Sequence, residues 1–196
     1  MSTANTAHSV TLAEHDRTHS TVTWRLMPLL LICYLFAHLD RINIGFAKLD
    51  MLAELQFSNT VYALGASMFF WGYFLFEVPS NLLLHRFGAR FWIARIMFSW
   101  AVISMAVAYT VPLAAFFGIE SSTMFYVLRF LLGICEAGFF PGVVLYLSQW
   151  FPTFRRGRIM ALFMSAIPVS GLLGSPFSGW ILNHFAAGQG GLAGWQ

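Results

Sequence analysis

Charge is scarce in this chain. Only 10% of its 196 residues are Asp, Glu, Lys or Arg, against 58% hydrophobic. Soluble domains carry about 25% charge, so a soluble globular domain is excluded. The net charge of +3 is too small a surplus to point to nucleic acid. Cysteine is nearly absent as well. Cys33 and Cys135 both lie inside apolar segments, which excludes a disulfide framework and leaves two small buried hydrophobes. Residues 1–23 lack an apolar run and are therefore not a signal peptide. They are expected to form a loose, exposed tail. His8, His15 and His19 fall in that tail, and His85 and His184 stand alone on opposite sides of the spans described next. No Cys/His cluster and no Ser/His/Asp grouping is visible. The chain therefore reads as neither an enzyme nor a holder of a metal or cofactor.

What is abundant is apolar length. Mean hydropathy is +0.69 and there are 21 Phe. A membrane-spanning helix needs about 20 mostly apolar residues. Five segments qualify, at about 26–48, 58–84, 91–110, 122–149 and 158–182. Short polar stretches separate them, and a Gly-rich stretch, "NHFAAGQGGLAGWQ", follows. The fold expected is an all-α membrane protein with five transmembrane helices.

The basic residues alternate with these spans. Arg17, Arg25, Arg86, Arg90, Arg95, Arg155, Arg156 and Arg158 fall on one side, and Lys48 alone falls on the other. An excess of Lys and Arg marks the cytoplasmic side, so the N-terminus is expected in the cytoplasm.

Five charges remain inside the spans: Asp40 and Arg41 in the first, Glu77 in the second, Arg129 and Glu136 in the fourth. Each costs a few kcal/mol to insert, and such groups usually face a bundle interior or a wet cavity. Asp40 lies about 21 Å along the helix from Leu26, past the middle of a core about 30 Å thick. Neighbouring side chains on a helix point about 100° apart, so Asp40 and Arg41 each want a partner across the bundle. Arg129 and Glu136 are two turns apart on one face of the fourth span. The expectation is a common cavity between spans one and four, lined by Asp40, Arg41, Arg129 and Glu136. Two guanidinium groups there suit a carboxylate, and two carboxylates can carry protons. Glu136, set among apolar residues in "GICEAGFF", is the group expected to hold a proton near neutral pH, with Asp40 coupled to it. Buried salt bridges that only fix the packing are the alternative. Glu77, near the cytoplasmic end of its span, is expected to be structural. Tyr73 is a candidate cavity hydroxyl. For His38, one turn before Arg41, lining the pathway and plain packing stay equally open.

Small residues suggest close helix contacts. The fourth span carries Gly133, Ala137, Gly138 and Gly142 with Pro141 among them, and the fifth carries Gly171, Gly174, Pro176 and Gly179. Small residues let helices approach, and proline permits a bend.

The loop "NLLLHRFGARFW" resembles the G-x-x-x-D-R-x-G-R-[RK] signature of the major facilitator superfamily. Arg86, Gly88 and Arg90 match, while Asn81, His85 and Ala89 depart from it. The stretches "HLDRINIGFA", "GYFLFEVPSNLLL", "ARFWIARIM" and "FYVLRFLLGICEAGFFPGVVLYLSQWFP" resemble the anion:cation symporter family. Within it, the bacterial tartrate, phthalate and 4-hydroxyphenylacetate permeases look nearest. The likeness covers about residues 24–196. It implies proton-coupled symport of an organic carboxylate, most like tartrate, across the bacterial inner membrane by alternating access. Asp40 and Glu136 would couple protons, and Arg41 and Arg129 would bind the substrate carboxylate. His85, Arg86, Gly88 and Arg90 would form a gating loop. His85, where the signature has Asp, removes a fixed negative charge; a pH-sensitive contact and plain packing fit it equally.

The family is built from twelve helices in two halves of three-helix repeats. The resemblance therefore implies that residues 24–196 form an incomplete N-terminal bundle. "GLAGWQ" would be the approach to a sixth span, and the C-terminal half of the transporter would be the missing partner. A five-helix channel or a non-transporting membrane subunit is the alternative expectation.

Overall fold

A computed structural model describes residues 2–46, 48–55 and 57–185. The "GLAGWQ" segment lies outside the described residues. The described residues fold into helices α1 (Ser2–Phe46), α2 (Lys48–Leu55), α3 (Asn59–Phe87), α4 (Ala89–Ala108) and α5 (Thr110–Phe117). They continue with α6 (Ser121–Glu136), α7 (Phe139–Trp150), α8 (Thr153–Met164) and α9 (Ala166–Phe185). Five stretches are long and apolar enough to cross a membrane: Thr23–Phe46, Asn59–Phe87, Ala89–Ala108, Ser121–Trp150 and Thr153–His184. Their number is that of the five spans read from the sequence, and each overlaps one of them.

One expectation changes at the N-terminus. Instead of beginning after a loose tail, α1 starts at Ser2. No glycine and no other proline precedes Pro28, so nothing upstream interrupts the helix. A second change is that two spans are segmented and a short helix follows the third. The fourth divides into α6 and α7 after Glu136, the fifth into α8 and α9 at Ser165, and α5 follows α4 after Tyr109. Pro112, Pro141 and Pro168 each occupy the third position of the helix that restarts. Proline's missing N–H costs nothing there, because first-turn amides have no intrahelical partner.

The bundle is tightest where α3 crosses α6. Here two glycines put backbone on backbone. A Cβ at Gly133 would run into the Phe69 carbonyl and the Tyr73 amide, and one at Gly72 would run into the Phe130 carbonyl. The crossing therefore has no room for a side chain, the close approach that small residues provide in membranes. In the fifth span only Gly174 meets a neighbour, the Leu39 side chain, while Gly171 and Gly179 face open space. α9 packs on α1, and Gly174 alone of these three glycines lies at that contact.

The apolar core lies in layers along the bundle. At the end nearest the α3–α4 turn, Met27, Tyr34, Leu84, Trp92, Ile96, Val143 and Phe163 pack together. A middle layer holds Ala37, Phe69, Trp100 and Leu132. At the other end Met51, Tyr62 and Phe125 form a small cluster. Phe70, Trp71, Phe74 and Phe98 are exposed, as expected for side chains whose solvent is lipid.

Candidate functional site: a charged layer at mid-depth

The middle layer is where the intramembrane charges gather. On α1, Arg41 reaches α6 and pairs with Glu136, Nη2 to Oε1 at 2.6 Å. Glu136 is 2% exposed and Arg129 4%. Both guanidinium groups lie over the Phe69 ring, Arg41 at 5.3 Å and Arg129 at 5.0 Å from its centroid. Arg41 also lies 5.1 Å from the Tyr73 ring. A desolvated cation over an aromatic face gains on the order of 2 kcal/mol, which offsets part of the cost of burying two like charges so close together. Phe69, only 1% exposed, is thus a shared platform for both arginines.

Asp40 departs from expectation. It does not take its partner from the fourth span. Its Oδ1 accepts a hydrogen bond from Ser104 Oγ at 2.7 Å, and its Oδ2 a longer one from Trp100 Nε1 at 3.4 Å. Both donors are on α4, in the third span. The reason is the helical angle: with Arg41 directed at α6, the preceding side chain points to a different neighbour. The two carboxylates therefore have different surroundings, one ion-paired and the other hydrogen-bonded by neutral donors.

Four polar atoms of this layer are buried with no hydrogen-bond partner in the protein: His38 Nδ1, Arg41 Nε, Arg129 Nε and Glu136 Oε2. Native proteins leave few such atoms unpaired. Their concentration gives this layer unused capacity to bind a polar ligand or a proton. His38 also stands 6.0 Å from the Tyr34 ring.

The structure brings Asp40, Arg41, Tyr73, Arg129, Glu136 and His38 toward one level of the bundle. The loop residues are elsewhere. His85, Arg86, Gly88 and Arg90 are exposed at the α3–α4 turn. Gly88, at φ +84°, is the single residue joining the two helices. Arg86 lies 6.0 Å from the Phe87 ring, and Arg90 helps line a surface hollow with Phe91, Tyr146 and Trp150. Glu77 is half-buried and makes no ion pair among the described residues. No group of acidic, His and Cys side chains suited to a metal occurs among them either.

Sequence reasoning missed Phe69, Trp100 and Ser104. A signal was present for the last two: Trp100 and Ser104 are four residues apart, so two hydrogen-bond donors share one face of an apolar helix.

Comparison with known proteins agrees with this architecture. A protein of Pseudomonas putida provisionally named the metabolite transport protein NicT is 54% identical over 193 residues, covering 98% of this chain and 42% of the relative. A protein of Agrobacterium vitis provisionally named a tartrate transporter is 53% identical over 175 residues, covering 89% and 36%. A quinolone resistance transporter of Acinetobacter baumannii is 47% identical over 176 residues, covering 90% and 38%. The chain thus spans well under half the length of the curated relatives it matches. The sequence model of the Major Facilitator Superfamily matches residues 30–196. Five apolar spans, a charged layer at mid-depth and this match place the chain in the major facilitator superfamily, a family of membrane transporters.

Proposed function

We propose that this chain forms one wall of a proton-coupled symporter for an organic carboxylate, with a tartrate-like dicarboxylate as the first candidate. The observation that carries the reading is the pair of half-buried Arg41 with buried Glu136, beside Arg129, whose buried Nε has no hydrogen-bond partner among the described residues, and a separately held Asp40. Two arginines and two carboxylates share this level, so a surplus positive charge appears when Glu136 takes up a proton. A substrate carboxylate can take up that surplus through guanidinium hydrogen bonds. Protonating Glu136 would release Arg41 from its partner, and the freed guanidinium would then favour the anion. Proton and anion binding are linked in this way, which is the thermodynamic requirement for symport.

In this reading Asp40 is the second proton-carrying group. Tyr73 and His38 flank the anion, and the exposed turn with His85, Arg86, Gly88 and Arg90 is the gating loop. The arginine distribution supports a cytoplasmic N-terminus in a bacterial inner membrane. The opposite wall would come from a second six-helix half, whose rocking against this one alternates access to the layer. The names of the Agrobacterium and Pseudomonas relatives support small-metabolite transport, and the first of them motivates tartrate.

The test is uptake of labelled tartrate by the intact protein in liposomes with an imposed inward proton gradient. The expected result is saturable accumulation above the external concentration that collapses with a protonophore. Entry that only equilibrates and ignores the gradient would contradict symport. Competition by a panel of aliphatic and aromatic acids then ranks the substrates.

A further inference from the structure

We infer that Ser80 and Trp92 are positioning residues for Glu136, acting through the break in the fourth span. This inference rests on the proton-coupling reading of Glu136 only for its effect on transport.

At the break Ala137 leaves helical geometry, with ψ 130°, and four residues on Pro141 has no N–H to offer, so the Ala137 carbonyl needs another donor. Ala137 is fully buried, and an unpaired carbonyl at this depth is costly. The Ser80 hydroxyl supplies the donor, Oγ to Ala137 O at 2.7 Å. Ser80 in turn accepts a hydrogen bond from Trp92 Nε1 at 3.0 Å. Ser80 is 6% and Trp92 7% exposed, so neither bond is readily replaced by water. Gly138 completes the joint. It adopts the left-handed conformation at φ +84°, and a Cβ there would collide with Ser80 Oγ.

Glu136 is the last residue of α6, one residue before the carbonyl that Ser80 holds. The direction in which its side chain leaves the helix is therefore set by the joint. Trp92 carries the connection onward to the exposed turn. Its ring stacks on Phe87 at 5.8 Å, 8° from parallel, and Arg95 lies 4.2 Å over it. A continuous set of contacts thus runs from the gating-loop end of α3 to the carboxylate paired with Arg41. Any movement of the α3–α4 turn that pulls on Trp92 acts on the Ala137 joint.

The test reads Glu136 directly. A hydrophobic carbodiimide is applied to the intact protein in membranes, and modification of the Glu136 peptide is followed by mass spectrometry. Ser80→Ala removes the hydroxyl without adding bulk, and Trp92→Phe removes the indole donor from the other end. Both are expected to change the Glu136 labelling rate several-fold, because the Arg41 pair is no longer held in place. Unchanged labelling in both variants would overturn the inference, and either variant serves alone should the other fail to fold. Transport then separates this inference from the proposed function. Ser80→Ala should lower proton-driven accumulation about tenfold while sparing tartrate exchange. Equal losses of accumulation and exchange would make Ser80 merely structural and also overturn the inference. If Glu136→Gln itself accumulates tartrate normally, the proton-coupling reading fails, while the labelling result still decides the placement of Glu136.

Discussion

The first and fourth spans supply the Arg41–Glu136 pair, yet they are built differently. The first span belongs to one uninterrupted helix that passes through Pro28. The fourth stops at Glu136 and restarts at Phe139, with Pro141 in the new first turn. Proline alone does not explain the difference, since α3 and α9 also continue through Pro79 and Pro176. What the fourth span adds is Gly138, the only residue within a span found in the left-handed region among the described residues. A glycine just past a helix end and a proline just inside the next start form a stop–start signal. The two spans teach that Arg41 is presented by rigidity, whereas Glu136 is presented at a joint held from outside by Ser80.

The largest expected effect comes from separating the pair that joins the two spans. Glu136→Leu leaves Arg41, whose side chain is 31% exposed, without its partner and should cost up to about 3 kcal/mol in unfolding free energy. Arg41→Leu combined with Glu136→Leu should recover most of that loss without recovering transport. Thermal unfolding in detergent, read beside uptake, checks both. If the double variant is no more stable than Glu136→Leu alone, the pair is not what the structure describes.

Next comes the crossing that supports the fourth span. Gly133→Val pushes a branched side chain into the Phe69 carbonyl. Overpacking of this kind costs about 1–3 kcal/mol, more where only backbone could yield. A drop in folded yield should accompany it, whereas Gly171→Val, which faces open space, should be tolerated.

A smaller loss is expected at the joint itself. Gly138→Ala forces an L side chain into the left-handed region, at about 1–2 kcal/mol, and presses on Ser80. It should weaken proton-driven uptake more than Gly171→Ala does.

The smallest effects test the prolines. Pro141→Ala should change stability by under about 1 kcal/mol, because no first-turn bond is gained. Should Pro141→Ala prove as damaging as Gly138→Ala, the assignment of the break to the glycine would be wrong. Pro28→Ala should be neutral or slightly stabilising, since it restores a bond in an otherwise continuous helix.

Much of the fold was legible because membranes demand it. Apolar runs of spanning length must be helices, and Arg86, Arg90, Arg155, Arg156 and Arg158 between them mark alternate loops. That Arg41 needs a partner across the bundle was legible as well, since an isolated charge at mid-depth needs an opposite one, though a salt bridge was only the alternative expectation. The partner of Asp40 was not legible. Knowing that Asp40 and Arg41 diverge on the helix does not say which neighbour each meets, and neutral donors such as Ser104 and Trp100 carry no charge signal. The crossing at Gly72 was also missed, because a lone glycine in an aromatic run gives no hint of the helix it touches. The stop–start at Gly138 and Pro141 was visible in "EAGFFPG", but it reads equally as a packing motif until Ser80 is seen bonded to the Ala137 carbonyl.

In the proposed mechanism Glu136 links proton binding to the anion through Arg41. The most direct measurement compares two tartrate assays on Glu136→Gln in liposomes: accumulation driven by a proton gradient, and exchange of internal for external tartrate without one. Accumulation should be lost while exchange survives, because glutamine fills the site but carries no proton. Accumulation at the wild-type level under the same gradient would contradict that mechanism.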